Sequence, residues 1–303
     1  MNRLPLLEQL SSRALVCDGA MGTQLLARGL TSSECGMLWN LQRATDVAAV
    51  HQAYRHAGCD LVTTNSFGGS RFGLERHGLA QRVAELNRAA AQAARQAAGE
   101  TGWVLGDVGP FGDFLEPAGE VSADDLRAAF RDQIAALLDG GADAVLVETM
   151  SDPAEAVVGL EAAKDCDPKV PVIVTYAFQK AGQEFRTMMG ATAAEAMQRA
   201  IAAGADIVGA NCGTGLSLED YVELAKQLVA AAGKVPVIVQ PNGGSPRTED
   251  GKTVYDATPE QMAAIAARLL AAGARIIGGC CGTTPAHLAA MSRRIKGNSA
   301  NPG

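Results

Sequence analysis

Aromatic residues make up only 4% of this 303-residue chain, and its net charge of -7 comes with no cluster of lysines or arginines. Base stacking needs aromatic platforms and phosphate binding needs a positive footprint, so no nucleic-acid partner is expected. No apolar run approaches the length of a membrane span, which argues against a membrane partner. Met1-Asn2-Arg3-Leu4-Pro5 is not followed by the uninterrupted apolar stretch of a secretory signal. The seven cysteines are odd in number and irregularly spaced, unlike a disulfide framework. The expectation is a cytoplasmic, reducing location, with small molecules or a protein docking on an ordinary surface as partners.

What the chain does have is apolar bulk, 48% of its residues, enough for a large core. Eight short apolar runs alternate with Ala-rich helical patterns: 14–17, 60–64, 103–106, 144–147, 172–176, 206–209, 237–240 and 275–278. Helices are expected at Gln81 to Ala98, Ala123 to Leu138, Ala191 to Ala202 and Pro259 to Ala271. Four strands are announced by one recurring phrase: Ala57-Gly58-Cys59-Asp60, Gly140-Gly141-Ala142-Asp143, Ala203-Gly204-Ala205-Asp206 and Ala272-Gly273-Ala274-Arg275. Each reads as a helix-ending glycine and a short turn into a buried strand. An open doubly wound sheet would show a phosphate fingerprint after its first strand, and Gly19-Ala20-Met21-Gly22-Thr23 lacks that spacing. The pattern predicts an α/β fold, a single (β/α)8 TIM barrel over residues 1–296, with 297–303 a disordered tail.

Active sites of such barrels lie at the C-terminal ends of the strands, and the distinctive residues collect there. Asp18 follows the first strand and Asn65 the second, Asp107 lies near the third, and Glu148 follows the fourth. Cys212 follows the sixth, Asn242 the seventh, and Cys280 and Cys281 the eighth. Adjacent side chains of a regular strand point to opposite faces, so Cys280 and Cys281 can share a site only where the backbone leaves β geometry. Gly278, Gly279 and Gly282 allow that. With Cys212 they make three thiolates with a fourth position open, the pattern of a catalytic zinc. Such a zinc suits a substrate thiol as fourth ligand, deprotonated on binding and still nucleophilic. Alkyl transfer to it needs no general base, consistent with the lack of a histidine beside these cysteines. His287 lies further on, where a helix is expected to begin.

Asp18-Gly19-Ala20-Met21-Gly22-Thr23, Thr64-Asn65-Ser66-Phe67, Glu148-Thr149-Met150, Asn211-Cys212, Pro241-Asn242-Gly243-Gly244 and Gly279-Cys280-Cys281-Gly282-Thr283-Thr284-Pro285 together resemble the homocysteine S-methyltransferase family, in order from about Leu15 to His287. Within it, the chain is most similar to the homocysteine-binding module of cobalamin-dependent enzymes. The resemblance implies that Cys212, Cys280 and Cys281 ligate zinc and that Asp18 and Glu148 hold the substrate amino group. The N–H groups of Met21 and Gly22 would take the carboxylate, and Asn242 would face the metal or the substrate. The implied reaction moves a methyl group to homocysteine, or a similar small thiol, giving methionine. The implied donor is methylcobalamin on a separate corrinoid protein, since no Asp-x-His-x-x-Gly cobalamin signature occurs in the chain. S-Methylmethionine or betaine as donor, a different thiol, and a non-catalytic zinc- or thiol-binding module are the alternatives. Arg186-Thr187-Met188-Met189-Gly190 and Gly213-Thr214-Gly215 depart from the family pattern.

Blander roles stand beside these. Asp18 could cap a helix, Glu148 could pair with an arginine, and Asn65 and Asn242 could satisfy loop backbone. Asp107 reads as a structural rim carboxylate. Cys17, Cys35, Cys59 and Cys166 read as core or incidental thiols.

Overall fold

The computed structural model of the chain describes residues 3–298 apart from 32, 250 and 251. Eight strands form one parallel sheet: β1 (Leu15–Val16), β2 (Leu61–Thr63), β3 (Trp103–Val108), β4 (Ala144–Met150), β5 (Val172–Tyr176), β6 (Ile207–Asn211), β7 (Val237–Gln240) and β8 (Ile276–Ile277). Their spatial order follows the chain, with β8 returning beside β1. The two edge strands, β1 and β2, meet through a single parallel bridge between Cys17 and Leu61. Asp60 N donates to Val16 O (2.7 Å) and Asp18 N to Leu61 O (3.1 Å) across that seam. The result is the nearly closed eight-stranded barrel that the alternating pattern predicts.

Each strand is followed by an outer helix, from Ala44–His56 after β1 to Pro285–Asn298 after β8. The helices start where the sequence supplies caps. Thr192, Ser217 and Thr258 each form a reciprocal capping box with the residue three positions on. The last helix runs to Asn298, two residues into the segment expected to be a tail, and 299–303 lie outside the described residues. Elements outside the expected alternation include a short helix Leu6–Ser12, a hairpin of Phe178–Ala181 with Glu184–Thr187, and a hairpin of Arg247–Glu249 with Lys252–Val254.

The recurring glycine phrase does more than turn the chain. Gly58, Gly141, Gly204 and Gly273 all take positive φ, between 92° and 105°, where a side chain would be strained. Two residues on, three aspartates reach back to the preceding strand. Asp60 accepts from Val16 N (2.9 Å), Asp143 from Val104 N (2.8 Å) and Asp206 from Val172 N (2.8 Å). Each carboxylate also meets cations: Arg13 and Lys296 at Asp60, Arg3 and Arg95 at Asp143, Lys164 at Asp206. One residue type thus fixes strand register and neutralises charge at the closed end of the barrel. Arg275 replaces the fourth aspartate and instead donates to Leu10 O of the N-terminal helix.

The period of two along each strand sorts the side chains. Val16, Val145, Val147, Val174, Val208 and Val239 point outward and join the core under the helices. Leu15, Cys17, Leu61, Trp103, Leu105, Leu146, Ile173, Ile207, Ile238 and Ile276 form a separate apolar cluster inside the barrel, joined by Leu6 and Leu10. One step further along the same inward-facing columns come Thr63, Asp107, Glu148, Thr175 and Gln240, and two steps beyond Ile207, past Gly209, comes Asn211. The apolar filling therefore gives way, at the C-terminal mouth, to a polar layer.

Replacing Asp206 by alanine leaves the buried Val172 N–H without its acceptor and should lower stability by about 1–3 kcal/mol. Asp206→Asn keeps an acceptor and should recover most of that. Urea midpoints decide, with equal losses in both variants pointing to the Lys164 ion pair instead.

Candidate active site

The polar layer floors a cavity of about 290 Å³ at the barrel mouth. Met21, Gly22, Asp107, Glu148, Cys212, Cys280 and Cys281 all line it, and no lysine or arginine does. The sulfur atoms of Cys212, Cys280 and Cys281 lie within 4.8 Å of one another, with Cys212 3.4 Å from Cys281 and Cys280 4.0 Å from Cys281. Three thiolates around a tetrahedral zinc at its usual bond length would sit about 3.8 Å apart. The triangle fits that ion without any strand moving, and among the described residues no other such group of ligands occurs.

Backbone bonds hold the triangle. Cys280 N donates to Pro241 O (2.8 Å) and Gly243 N to Cys281 O (2.8 Å), so the loop after β7 clasps the paired cysteines. Cys280 and Cys281 lie beyond the end of β8 at Ile277, outside β geometry as expected, while Cys212, for which no such expectation was made, sits in the left-handed region at φ 47°. Its turn is pinned by Gly213 N donating to Tyr221 Oη (2.9 Å) and by Asn242 Nδ2 donating to Gly213 O (3.3 Å). Asn242 therefore stands behind Cys212, buried, with its Oδ1 unpartnered. Hydrogen bonds from Cys212, then Cys280, hold the Cys281 thiol well below its usual range, despite burial.

Three carboxyls accompany the thiols, Asp107 and Glu148 in the cavity lining and Asp18 just behind it. Asp18, 2% exposed, accepts from Thr63 N (2.8 Å) and Thr63 Oγ1 (2.8 Å). It does not cap the helix Gly22–Ala27, whose cap position is Met21. Glu148 makes no ion pair with an arginine; its Oε2 accepts from Asn211 Nδ2 (2.9 Å). It lies inside β4 rather than after it, because the strand runs on irregularly from Val147 to Met150, with Thr149 at φ 60°. Burial pushes both carboxyls up to about 7. Asp107, also within its strand, is raised well above the carboxylate range by burial and then by the facing Glu148. At the rim, Met21 caps the helix beginning at Gly22, where first-turn N–H groups have no partner within the helix.

Sequence reasoning missed several groups that organise this site. Asn211 bonds Thr149, Thr175, Glu148 and Cys280. The Tyr54 hydroxyl donates to Ala20 O (2.8 Å) and Thr283 O (3.2 Å), tying the loops after β1 and β8. Only the position of Asn211 beside Cys212 hinted at its part. Asn65 serves its loop, donating to Gly36 O and Asn40 Oδ1. His287 caps the last helix through Thr284 N and meets Ala257 O. Cys17, Cys35 and Cys59 are buried and Cys166 is half-buried, apart from the triangle.

A carboxyl raised in the fold keeps its proton after the unfolded chain has lost it, so the unfolded state gains as pH rises through that interval. For Asp18 and Glu148 the interval runs from about pH 4 to 7, and Glu155, also raised to about 7, adds to it. Stability of the metal-free, substrate-free protein should fall across it and level off above. Glu148→Gln should flatten that fall by roughly 1–3 kcal/mol. Urea midpoints at pH 5 and 7.5 measure this, and an unchanged fall would show that Glu148 ionises normally.

The family model of homocysteine S-methyltransferase matches residues 15–295. Methionine synthases of Mycobacterium tuberculosis and Mycobacterium leprae are each 33% identical over 96% of this chain, which spans 25% of their length. The crystal structure of the homocysteine methyltransferase MmuM from Escherichia coli, in its metallated form, superposes with a TM-score of 0.77 at 27% identity, covering 96% of this chain and all of that one. With the barrel, the converging thiols and the matched span in agreement, the chain belongs to the homocysteine S-methyltransferase family of enzymes.

Proposed function

We propose that the chain is a zinc-dependent methyltransferase that moves a methyl group to the thiol of homocysteine, giving methionine. The observation that carries this reading is the shared cavity, lined by three converging thiols and by the carboxyls of Asp107 and Glu148. Cys212, Cys280 and Cys281 would hold zinc, as the metallated relative supports. Bound there, zinc supplies the acidity that keeps a substrate thiol ionised at neutral pH. Because these ligands must remain thiols, a reducing, cytoplasmic compartment suits the protein.

Around that centre the chain's own groups hold the amino acid. Asp18, braced by Thr63, and Glu148, braced by Asn211, take the ammonium, and burial makes each charge count for more. Met21 and Gly22 offer N–H groups at a helix start to the carboxylate. Asn242 sets the Cys212 turn from behind, and its free Oδ1 is the group that could turn toward the metal.

The methyl donor in this reading is methylcobalamin carried on a separate corrinoid protein. Support comes from the mouth, where Phe67, Phe114, Met188 and Met189 are 44–64% exposed on loops after β2, β3 and β5. Such an apolar rim suits a broad, flat donor. A second reading draws on the adjoining cavity of about 220 Å³, which combines Phe114, Met188 and Met189 with Asp152 and Glu155. Apolar and acidic groups together suit a sulfonium or ammonium donor such as S-methylmethionine or betaine.

Two experiments test the proposal. The zinc-loaded protein should form methionine from homocysteine and methylcobalamin, and a chelator should stop it; turnover only with S-methylmethionine or betaine would transfer the assignment to the second reading. Cys212→Ala and Cys280→Ala should each lose bound zinc, by elemental analysis, and abolish activity while keeping the circular dichroism of the folded barrel. Undiminished zinc affinity in either variant overturns the ligand assignment.

A further inference from the structure

The loop after β1 carries Asp18, Met21 and Gly22, and the loop after β8 carries Cys280 and Cys281. Two hydroxyls join these loops around the Ala20 backbone. Ala20 N donates to Thr283 Oγ1 (3.1 Å), and Ala20 O accepts from Tyr54 Oη (2.8 Å). The same hydroxyls hold the other loop, Thr283 Oγ1 donating to Cys280 O (2.7 Å) and Tyr54 Oη to Thr283 O (3.2 Å). Gly279 N adds a direct bond to Asp18 O (2.9 Å). Thr283 and Tyr54 are both 0% exposed, so water cannot replace either hydroxyl. Two glycines permit the close approach, since a Cβ on Gly19 or on Gly279 would lie 2.5 Å from Thr283 Oγ1. The residue between Asp18 and Met21 is thus tied to the backbone of Cys280.

We propose that Thr283 and Tyr54 are positioning residues that set the length of thiol the enzyme accepts, by fixing the span between its thiol-ligand loop and its amino-acid loop. Neither side chain lines the cavity, so each acts through the backbone it holds. A ligand bound at its sulfur and again at its amino-acid end must match the separation of the two anchors. A misplacement of about 1 Å there costs on the order of a hundredfold. Homocysteine and cysteine differ in that span by a single methylene, so a rigid separation tells them apart where a loose one does not. A hydroxyl bonded to one loop would steady that loop alone. These two each bond both, and removing either loosens the distance between them. This inference rests on the reading of the substrate as homocysteine held by zinc at the three thiols.

Calorimetric titration of the zinc-loaded protein with homocysteine and with cysteine tests it. Wild-type protein should bind homocysteine more tightly; equal affinity, or a preference for cysteine, would overturn the homocysteine reading and this inference with it. Given that preference, Tyr54→Phe and Thr283→Val should each weaken homocysteine about tenfold and lower the homocysteine-to-cysteine ratio at least about fivefold. Thr283→Ser, which keeps the hydroxyl, should retain the wild-type ratio. Zinc affinity by chelator competition should stay within about twofold in all three variants, because the thiols themselves are untouched. Parallel weakening of both amino acids would make the two hydroxyls a general brace of the cavity. Lost zinc would make them part of the thiol loop alone, and unchanged affinities would make them bystanders. Each of these three results overturns the inference. Tyr54→Phe carries the test if the valine variant, which leaves the buried Ala20 N–H without an acceptor, does not fold.

Discussion

The side-chain amide of Asn211 is fully buried, and every polar atom it has is spoken for. Its Oδ1 accepts from Thr149 N (3.0 Å) and Thr175 Oγ1 (2.8 Å). Its Nδ2 donates to Glu148 Oε2 (2.9 Å) and Thr149 Oγ1 (2.7 Å) and approaches Cys280 Sγ at 3.8 Å. Strands β4, β5, β6 and the loop after β8 are thereby registered on one group. The two non-glycine residues with positive φ among those described, Thr149 and Cys212, sit at either end of this network. A β-branched threonine there is a strained backbone, and such strain persists only where its surroundings over-determine it. Asn211 supplies that determination, so Glu148 and the thiol triangle are set by one amide.

The layering of the barrel explains why such a hub is required. Below, the inward columns hold leucines and isoleucines that need nothing but contact. One period further up, the same columns carry carboxyl, amide and hydroxyl groups, which cannot be left unpaired out of water. Hydrogen bonds within the layer satisfy most of them, yet no lysine or arginine among the described residues lines the cavity, and burial raises all three carboxyls above their usual range. At the closed end the aspartates face arginines and lysines instead. The charge that one end of the barrel neutralises internally, the other leaves for a ligand to neutralise.

Much of this was legible because it is local. The glycine phrase encodes a helix end and a turn within four residues and could be read from the chain, whereas its aspartates reach N–H groups of the preceding strand, 34 to 44 residues away, and could not. The strand runs and capping pairs are equally short-range. Cys212, Cys280, Cys281, Asp18 and Glu148 were identified from motifs at strand ends, and the fold brings the three cysteines and Glu148 to one cavity, with Asp18 buried behind the lining residue Thr63. The irregular end of β4 put Glu148 inside the strand, since a bulge leaves no mark in periodicity. The roles of Asn211, Tyr54 and Tyr221 depend on which distant backbone atoms lie opposite, a matter of register across the barrel. The helix Leu6–Ser12 and the two hairpins were too short to show a period.

Preorganisation and openness are usually in tension at a mouth built from loops, and here the backbone resolves it. The thiol triangle is held by main-chain bonds from the loops after β7 and β8 and by Tyr221 under the Cys212 turn. None of those contacts uses a sulfur lone pair that a metal would need. The sulfurs remain directed at the cavity, poised but unspent, while every element carrying them is fixed from behind. Binding energy from an arriving cation or thiol is therefore not consumed in ordering the loops. The same holds for the carboxyls, braced through Thr63, Asn211 and the Asp107 backbone. On the proposed reading, selectivity then rests on how well a ligand spans the fixed positions of the thiols and the carboxyls.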